Sequence, residues 1–290
     1  MQFFDSHSHY NDEKFDEDRE KIIKQVLNYR VLNLKNTPNV KNNCKYTLKE
    51  KCSKESKAKL ICAGYSLKSS IEALEIAKKY KNIYAIVGIS PNDIPEKGAD
   101  FEAEFIKQLE EIEKIAQDKK VRAIGEIGLD YYWNQENKEE QKLAFIKQIE
   151  LANKLELPIV IHTREAIYDT LDILKNQIKP IKGGIFHCCP LNVDLVREGL
   201  KLGFYISFAG PVTFKNSKNA DEIIKMVPID KMLIETDCPY LSPDPKRGTR
   251  NDSRNLKYIA KKIAKVKEIP VREVIKATYC NAEKIFMIKK

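Results

Sequence analysis

The feature that most constrains this chain is an alternation. Short apolar runs at residues 60–63, 83–89, 121–127, 158–162, 184–187, 204–207 and 231–236 read as strands. Segments of helical period at 69–79, 101–117, 138–154, 166–175, 193–202, 220–227 and 253–266 follow them in turn. A first strand at 2–9 with a helix at 16–29 completes eight β-then-α units, and residues 271–285 add a further helical piece. Strands separated by helices pair in parallel. Eight such units predict a closed (β/α)8 TIM barrel, with an open doubly wound sheet as the alternative. No Gly-x-Gly-x-x-Gly follows any strand, which weakens a nucleotide-binding version of the open sheet.

The rhythm breaks once. Residues 32–58 are rich in Lys and Asn, poor in large apolar residues, and read as an insertion in a single barrel domain spanning 1–290. Its Cys44 and Cys52 are too far apart for a CxxC clamp, so unpaired thiols are expected. The net charge of +9 is unevenly placed: 33–59 carries +6, 246–267 carries +8, and the remainder carries −5. Only the basic segment near the site can argue for an anionic substrate. No apolar run approaches the roughly 18 residues a membrane helix needs. The N-terminus lacks a secretory pattern. Seven cysteines are an odd number, and reduced thiols in the cytoplasm are the expectation.

The chain has four histidines, His7, His9, His162 and His187, and each falls at the carboxyl end of a predicted strand. Glu126, flanked by Gly125 and Gly128, and Asp237 fall at two more such ends. A lone histidine is usually structural. All of them at strand tips, joined by tip carboxylates, point instead to a shared site on the catalytic face of a barrel. Six N and O donors exceed one tetrahedral ion and suit two divalent ions sharing a carboxylate.

These residues carry a resemblance. Asp-Ser-His-Ser-His at the start, Gly-Glu-Ile-Gly-Leu-Asp-Tyr-Tyr at 125–132, Ile-His-Thr-Arg at 161–164, Phe-His-Cys at 186–188 and Glu-Thr-Asp-Cys-Pro-Tyr-Leu-Ser-Pro at 235–243 resemble the TatD family of metal-dependent DNases. The resemblance implies a (β/α)8 metallohydrolase that cleaves phosphodiester bonds in DNA, often as an exonuclease. It implies that His7, His9 and Asp237 hold one ion, that His162 and His187 hold the other, and that Glu126 bridges them. Mg, Mn and Zn are the candidate ions; four imidazoles favour softer metals than Mg. Two departures stand out. The third strand ends Gly88-Ile-Ser90-Pro91-Asn92 where the family usually has histidines, and Ser253 stands where it usually has proline, as a cap for the following helix.

Around this centre, Asp237 is the expected general base, with Glu126 the other catalytic carboxylate. Arg164 is placed for a phosphate contact, or for an ion pair with Glu165 or another acid. Lys246, Arg247 and Arg250, on the loop leaving the last strand, read as a phosphate track for DNA or the related RNA. Tyr131, Tyr132 and Trp133 crowd the loop after Glu126, either to stack on bases or to pack a loop core. Cys188, Cys189 and Cys238 adjoin ligands and read as packing. Two other readings remain open: a hydrolase of another ester on the same scaffold, such as an aminoacyl-tRNA deacylase, and a nucleic-acid-binding protein without catalysis. The complete ligand set argues against the last.

Overall fold

The computed structural model describes residues 2–30 and 57–288. Eight strands form one parallel sheet in sequence order: β1 (Phe4–Ser8), β2 (Lys59–Ala63), β3 (Ile83–Val87), β4 (Val121–Asp130), β5 (Ile159–Arg164), β6 (Gly184–Phe186), β7 (Tyr205–Phe208) and β8 (Met232–Ile234). The ring closes through polar links between its first and last strands. Ser6 Oγ donates to the Ile234 carbonyl at 3.1 Å, the Asp237 amide to the His7 carbonyl at 3.0 Å, and the His9 amide to the Cys238 carbonyl at 2.8 Å. This is the (β/α)8 barrel expected from the alternation.

The helices α1 (Arg19–Asn28), α2 (Leu67–Lys79), α3 (Phe101–Ala116), α4 (Lys138–Lys154), α5 (Ile167–Asp172), α6 (Val193–Lys201), α7 (Ala220–Met226) and α8 (Leu256–Lys267) follow the strands in turn. Their buried faces are largely apolar. In α8, for example, Leu256, Ile259, Ala260, Ile263 and Ala264 are buried at helical spacing. The helix expected at 166–175 divides, since α5 passes into a π-helical turn, Ile173–Gln177. Ser253 does not cap α8 as expected. Its hydroxyl donates to Asp5 at 2.6 Å, and the Asp252 side chain caps the 3-10 turn that precedes the helix.

The barrel interior is filled by side chains such as Phe4, Ile61, Ile86, Val160 and Leu233. The final helix, α9 (Val271–Ile285), plugs the end where the strands begin. Tyr279 packs edge-on against Phe4 at 5.6 Å, Phe286 stacks on it at 6.1 Å, and Asn281 donates to the carbonyls of Ile229 and Met232. With that end closed, the carboxyl ends of the strands are left for chemistry.

Cys62, Cys188, Cys189 and Cys238 carry free thiols, as expected; Cys280 departs from the expectation, being disulfide-bonded. Most of the insertion read at 32–58, with Cys44 and Cys52, lies outside the described residues. Among the described residues no helix is long and apolar enough to cross a membrane.

Candidate metal centre

Two strands deliver the key groups through irregular backbone. Between β1 and β2, Asp5 pairs with Leu60 but Ser8 pairs with Cys62, so β1 carries one extra residue just where His7 lies. Between β4 and β5, Ile124 pairs with Ile159 but Ile127 with Ile161, which places the extra residue at Gly125-Glu126. Bulges of this kind re-aim side chains beside functional sites. Glycine is required nearby: Gly128 has φ +139°, and a Cβ there would lie 1.9 Å from the His162 carbonyl oxygen.

The four imidazoles and two carboxylates meet at the carboxyl ends of the strands. Glu126 divides its oxygens between two histidine pairs. Its Oε2 lies 3.4 Å from His7 Nε2 and 3.9 Å from His9 Nε2; its Oε1 lies 3.0 Å from both His162 Nδ1 and His187 Nε2. Asp237 Oδ1 is 3.1 Å from His9 Nε2 and 3.8 Å from His7 Nε2. Asp237 adopts a left-handed backbone, φ +56°, as the chain turns away from β8.

A second tier fixes these groups. His9 Nδ1 donates to the Ala63 carbonyl at 3.1 Å, His187 Nδ1 to Glu235 Oε1 at 3.3 Å, and His162 Nε2 to Asp130 Oδ2 at 2.9 Å. Each bond commits one ring nitrogen and leaves the other facing the centre. Glu235 also accepts from the Cys188 amide at 2.5 Å. Asp5 ties β1 to the loop after β8, accepting from the Thr236 amide and hydroxyl. Sequence reasoning did not find Asp5, Asp130 or Glu235. Glu235 lies two residues before Asp237, so the alternation that paired His7 with His9 could have found it.

The electrostatics are those of a tightly paired cluster. Burial alone would raise the Glu126 carboxyl, but His187, His162 and His7 outweigh it and hold it well below the ordinary carboxylate range. Burial opposes ionisation of Asp237 too, and the hydrogen bond and charge of His9 win, holding it at about 2. Burial would lower His187, yet Glu126 and Glu235 lift it well above 6.5. His9, against Asp237, and His162, against Asp130 and Glu126, are raised over the same opposition. Burial lowers His7, and the neighbouring His187 adds to that effect.

The donors fit metal ions. His7 Nε2 and His9 Nε2 are 3.2 Å apart, and His162 Nδ1 and His187 Nε2 are 3.5 Å apart. Nitrogens bound to one tetrahedral ion at about 2.0–2.1 Å would stand about 3.3 Å apart. His7, His9 and Glu126 form one group with ligand atoms within 4.8 Å of one another, and Glu126, His162 and His187 form a second. Glu126 belongs to both.

The rim is less uniform. The Arg164 guanidinium lies 3.6 Å from the Tyr132 ring centroid and 5.5 Å from that of Trp133, rather than in an ion pair with a described carboxylate. Tyr131 is buried, with its hydroxyl donating to Asp169 at 2.7 Å, whereas Tyr132 and Trp133 are 48% and 68% exposed. The three basic residues after β8 have different surroundings. Arg247 lies 4.3 Å over the Phe214 ring. Arg250 pairs with Asp18 and donates to the Lys14 carbonyl, each at 2.6 Å, so it ties the loop to the segment before α1 instead of joining a track. Lys246 is exposed. At the tip of β3, Ser90 donates to Asp93 at 2.6 Å and Asn92 to Asp130 at 3.2 Å. Cys189 and Cys238 are buried packing residues, and Cys188 is half-buried.

The family described as TatD related DNase matches residues 4–287. An uncharacterised metal-dependent hydrolase of Bacillus subtilis, YabD, is 38% identical over 285 residues, covering 98% of this chain and 99% of its own length. Among solved structures, the TatD homologue YJJV of Escherichia coli superposes with a TM-score of 0.79 at 20% identity, covering 99% of this chain and 98% of its own. A TatD family hydrolase of Entamoeba histolytica superposes at 0.73, with 21% identity and 98% of both chains covered.

Proposed function

The chain belongs to the TatD-related family of metal-dependent hydrolases, and on that footing we propose that it is a deoxyribonuclease that hydrolyses phosphodiester bonds with two divalent ions per chain. The observation that carries this reading is Glu126, whose two oxygens face two separate histidine pairs. That arrangement suits a carboxylate shared between two ions better than one ion with six donors.

His7, His9 and Asp237 would hold one ion, His162 and His187 the other, and Glu126 both. Bound ions would supply Lewis acidity toward the phosphate and a water acidified to near neutrality. The residues do the rest. Glu126 fixes the separation of the two halves. Asp130 and Glu235 hold His162 and His187 in the tautomers the centre needs. Asp237, at the edge of the cluster, is the group we assign to accept the proton of the attacking water. Arg164, Lys246 and Arg247 are the rim cations available to DNA phosphates. The imidazole-rich donor set favours Zn or Mn, and its carboxylates also admit Mg.

A second reading is kept alive by the tip of β3, where Ser90 and Asn92 turn to Asp93 and Asp130 instead of presenting histidines to a substrate. On that reading the enzyme cleaves another ester, such as that of aminoacyl-tRNA. Incubating metal-loaded protein with single-stranded DNA, duplex DNA and charged tRNA, with and without chelator, separates the two. Chelator-sensitive release of nucleotides from DNA is the expected result. Deacylation without DNA cleavage would overturn the nuclease reading.

A further inference from the structure

Two large aromatic rings stand in solvent next to the metal centre. Trp133 is 68% exposed and Tyr132 48%, on the loop that follows the Glu126 strand. They are held in place by hydrogen bonds rather than by burial. The amides of Tyr132 and Trp133 donate to Asp130 Oδ1 at 3.0 and 3.2 Å, while Asp130 Oδ2 accepts from His162 Nε2. One carboxylate thus fixes both the aromatic loop and a histidine of the centre. The rings meet edge-on, 4.9 Å apart at 85°. Arg164, two residues beyond His162, covers one face of Tyr132 at 3.6 Å, and the Trp133 ring is left largely in water. Lys138 adds a cation 4.5 Å from the Tyr131 ring.

The other side of the centre also has an exposed ring, Tyr240, with Lys14 4.0 Å from its centroid, but its surroundings are acidic. Beyond His9 and Tyr65 lies a pocket of about 590 Å³. Its lining carboxylates, Asp12, Glu13, Asp16, Glu72 and Glu75, outnumber its cations. That lining repels a polyanion, whereas aromatic rings interleaved with cations match unpaired bases joined by phosphates.

We propose that Tyr132, Trp133 and Arg164 form a stacking platform for an unpaired nucleobase of the nucleic-acid substrate, set beside the metal centre by Asp130. The platform rests on the nuclease reading above and deepens it. Stacking on a π-face is tolerant of sequence, so the site would select for unpaired bases and not for base identity. Duplex DNA would engage it only where an end opens.

Trp133 is the one tryptophan of the chain, so its emission reports on the platform directly. The test titrates metal-loaded full-length protein with a phosphorothioate-linked oligothymidylate, which resists turnover, and with an abasic strand of the same length and charge. Saturable quenching by the thymidylate strand, with at least fivefold weaker binding of the abasic strand, is expected. Tyr132→Ala, followed by the same emission, and Trp133→Ala, followed by anisotropy of a labelled strand, should each weaken thymidylate binding about fivefold or more. Tyr132→Phe and Trp133→Phe should restore it, which separates lost stacking from a lost fold. Equal affinity for thymidylate and abasic strands, or alanine variants that bind as the parent does, would overturn the platform. The two readings fail separately. Base-dependent binding without DNA hydrolysis keeps the platform and sinks the nuclease; hydrolysis with no contribution from the rings does the reverse.

Discussion

Asp130 Oδ2 holds His162 by its Nε2, 2.9 Å away, so that His162 faces Glu126 with Nδ1. The carboxylate can only accept here, which fixes the imidazole as an Nε2–H tautomer with a lone pair on Nδ1. Asp130→Asn keeps one accepting oxygen, which the Tyr132 and Trp133 amides claim, and turns toward His162 an NH2 group that cannot accept its proton. Metal affinity should fall about ten- to a hundredfold. Calorimetric titration of the metal-free protein with Zn or Mn measures it, and unchanged affinity would remove Asp130 from the site.

The cluster also sets a pH dependence. In the metal-free protein His9, His162 and His187 are raised above 6.5, so their stabilising contribution is complete below 6.5 and lost as pH rises through the raised values. Glu126 and Asp237 are lowered below 4.5 and 3.8, so theirs is complete above those values and lost as pH falls through the lowered ones. These five groups together therefore contribute most between about 4.5 and 6.5, while His7, which is lowered, works against them as pH falls below 6.5. Ions need neutral imidazoles, so binding expels protons and strengthens with pH. The difference in Tm between loaded and metal-free protein should widen from pH 6 to pH 8. A difference that is constant or shrinks over that range would contradict the pairing described.

The basic loop should divide by residue. Arg250 and its partner Asp18 are about a third exposed, so solvent screens the pair. Arg250→Ala should cost about 0.5–1 kcal/mol of stability and leave the salt dependence of DNA binding unchanged. Lys246→Ala and Arg247→Ala should each flatten the log–log slope by about 0.7–0.9 if each neutralises a phosphate. Thermal melts and binding at several salt concentrations read the two effects. A flattened slope in Arg250→Ala would return that residue to the track.

The barrel and the six central residues were legible because both rest on strand ends, which apolar runs mark well. His7 and His9 sit two apart at such an end, and they meet at 3.2 Å. Asp130 was missed because the strand was expected to stop at Ile127. It continues instead to Asp130, paired with β5 as far as Arg164, because glycine at 128 allows the backbone to pass against His162. The partner of Arg250 lies 232 positions away in sequence, beyond the reach of any local pattern. Arg164 was legible as a cation near the site, but its stacking on Tyr132 depends on a loop fixed by tertiary hydrogen bonds.

The central claim is a pair of ions bridged by Glu126, and metal stoichiometry tests it most directly. Parent protein and Glu126→Gln would be loaded, freed of loose metal and analysed by inductively coupled plasma mass spectrometry, with circular dichroism confirming that both are folded. The expected result is two ions per chain in the parent, at most one in Glu126→Gln, and a loss of DNA hydrolysis of at least about a hundredfold. One ion per chain in the parent, or two retained by an active Glu126→Gln, would contradict the bridged pair.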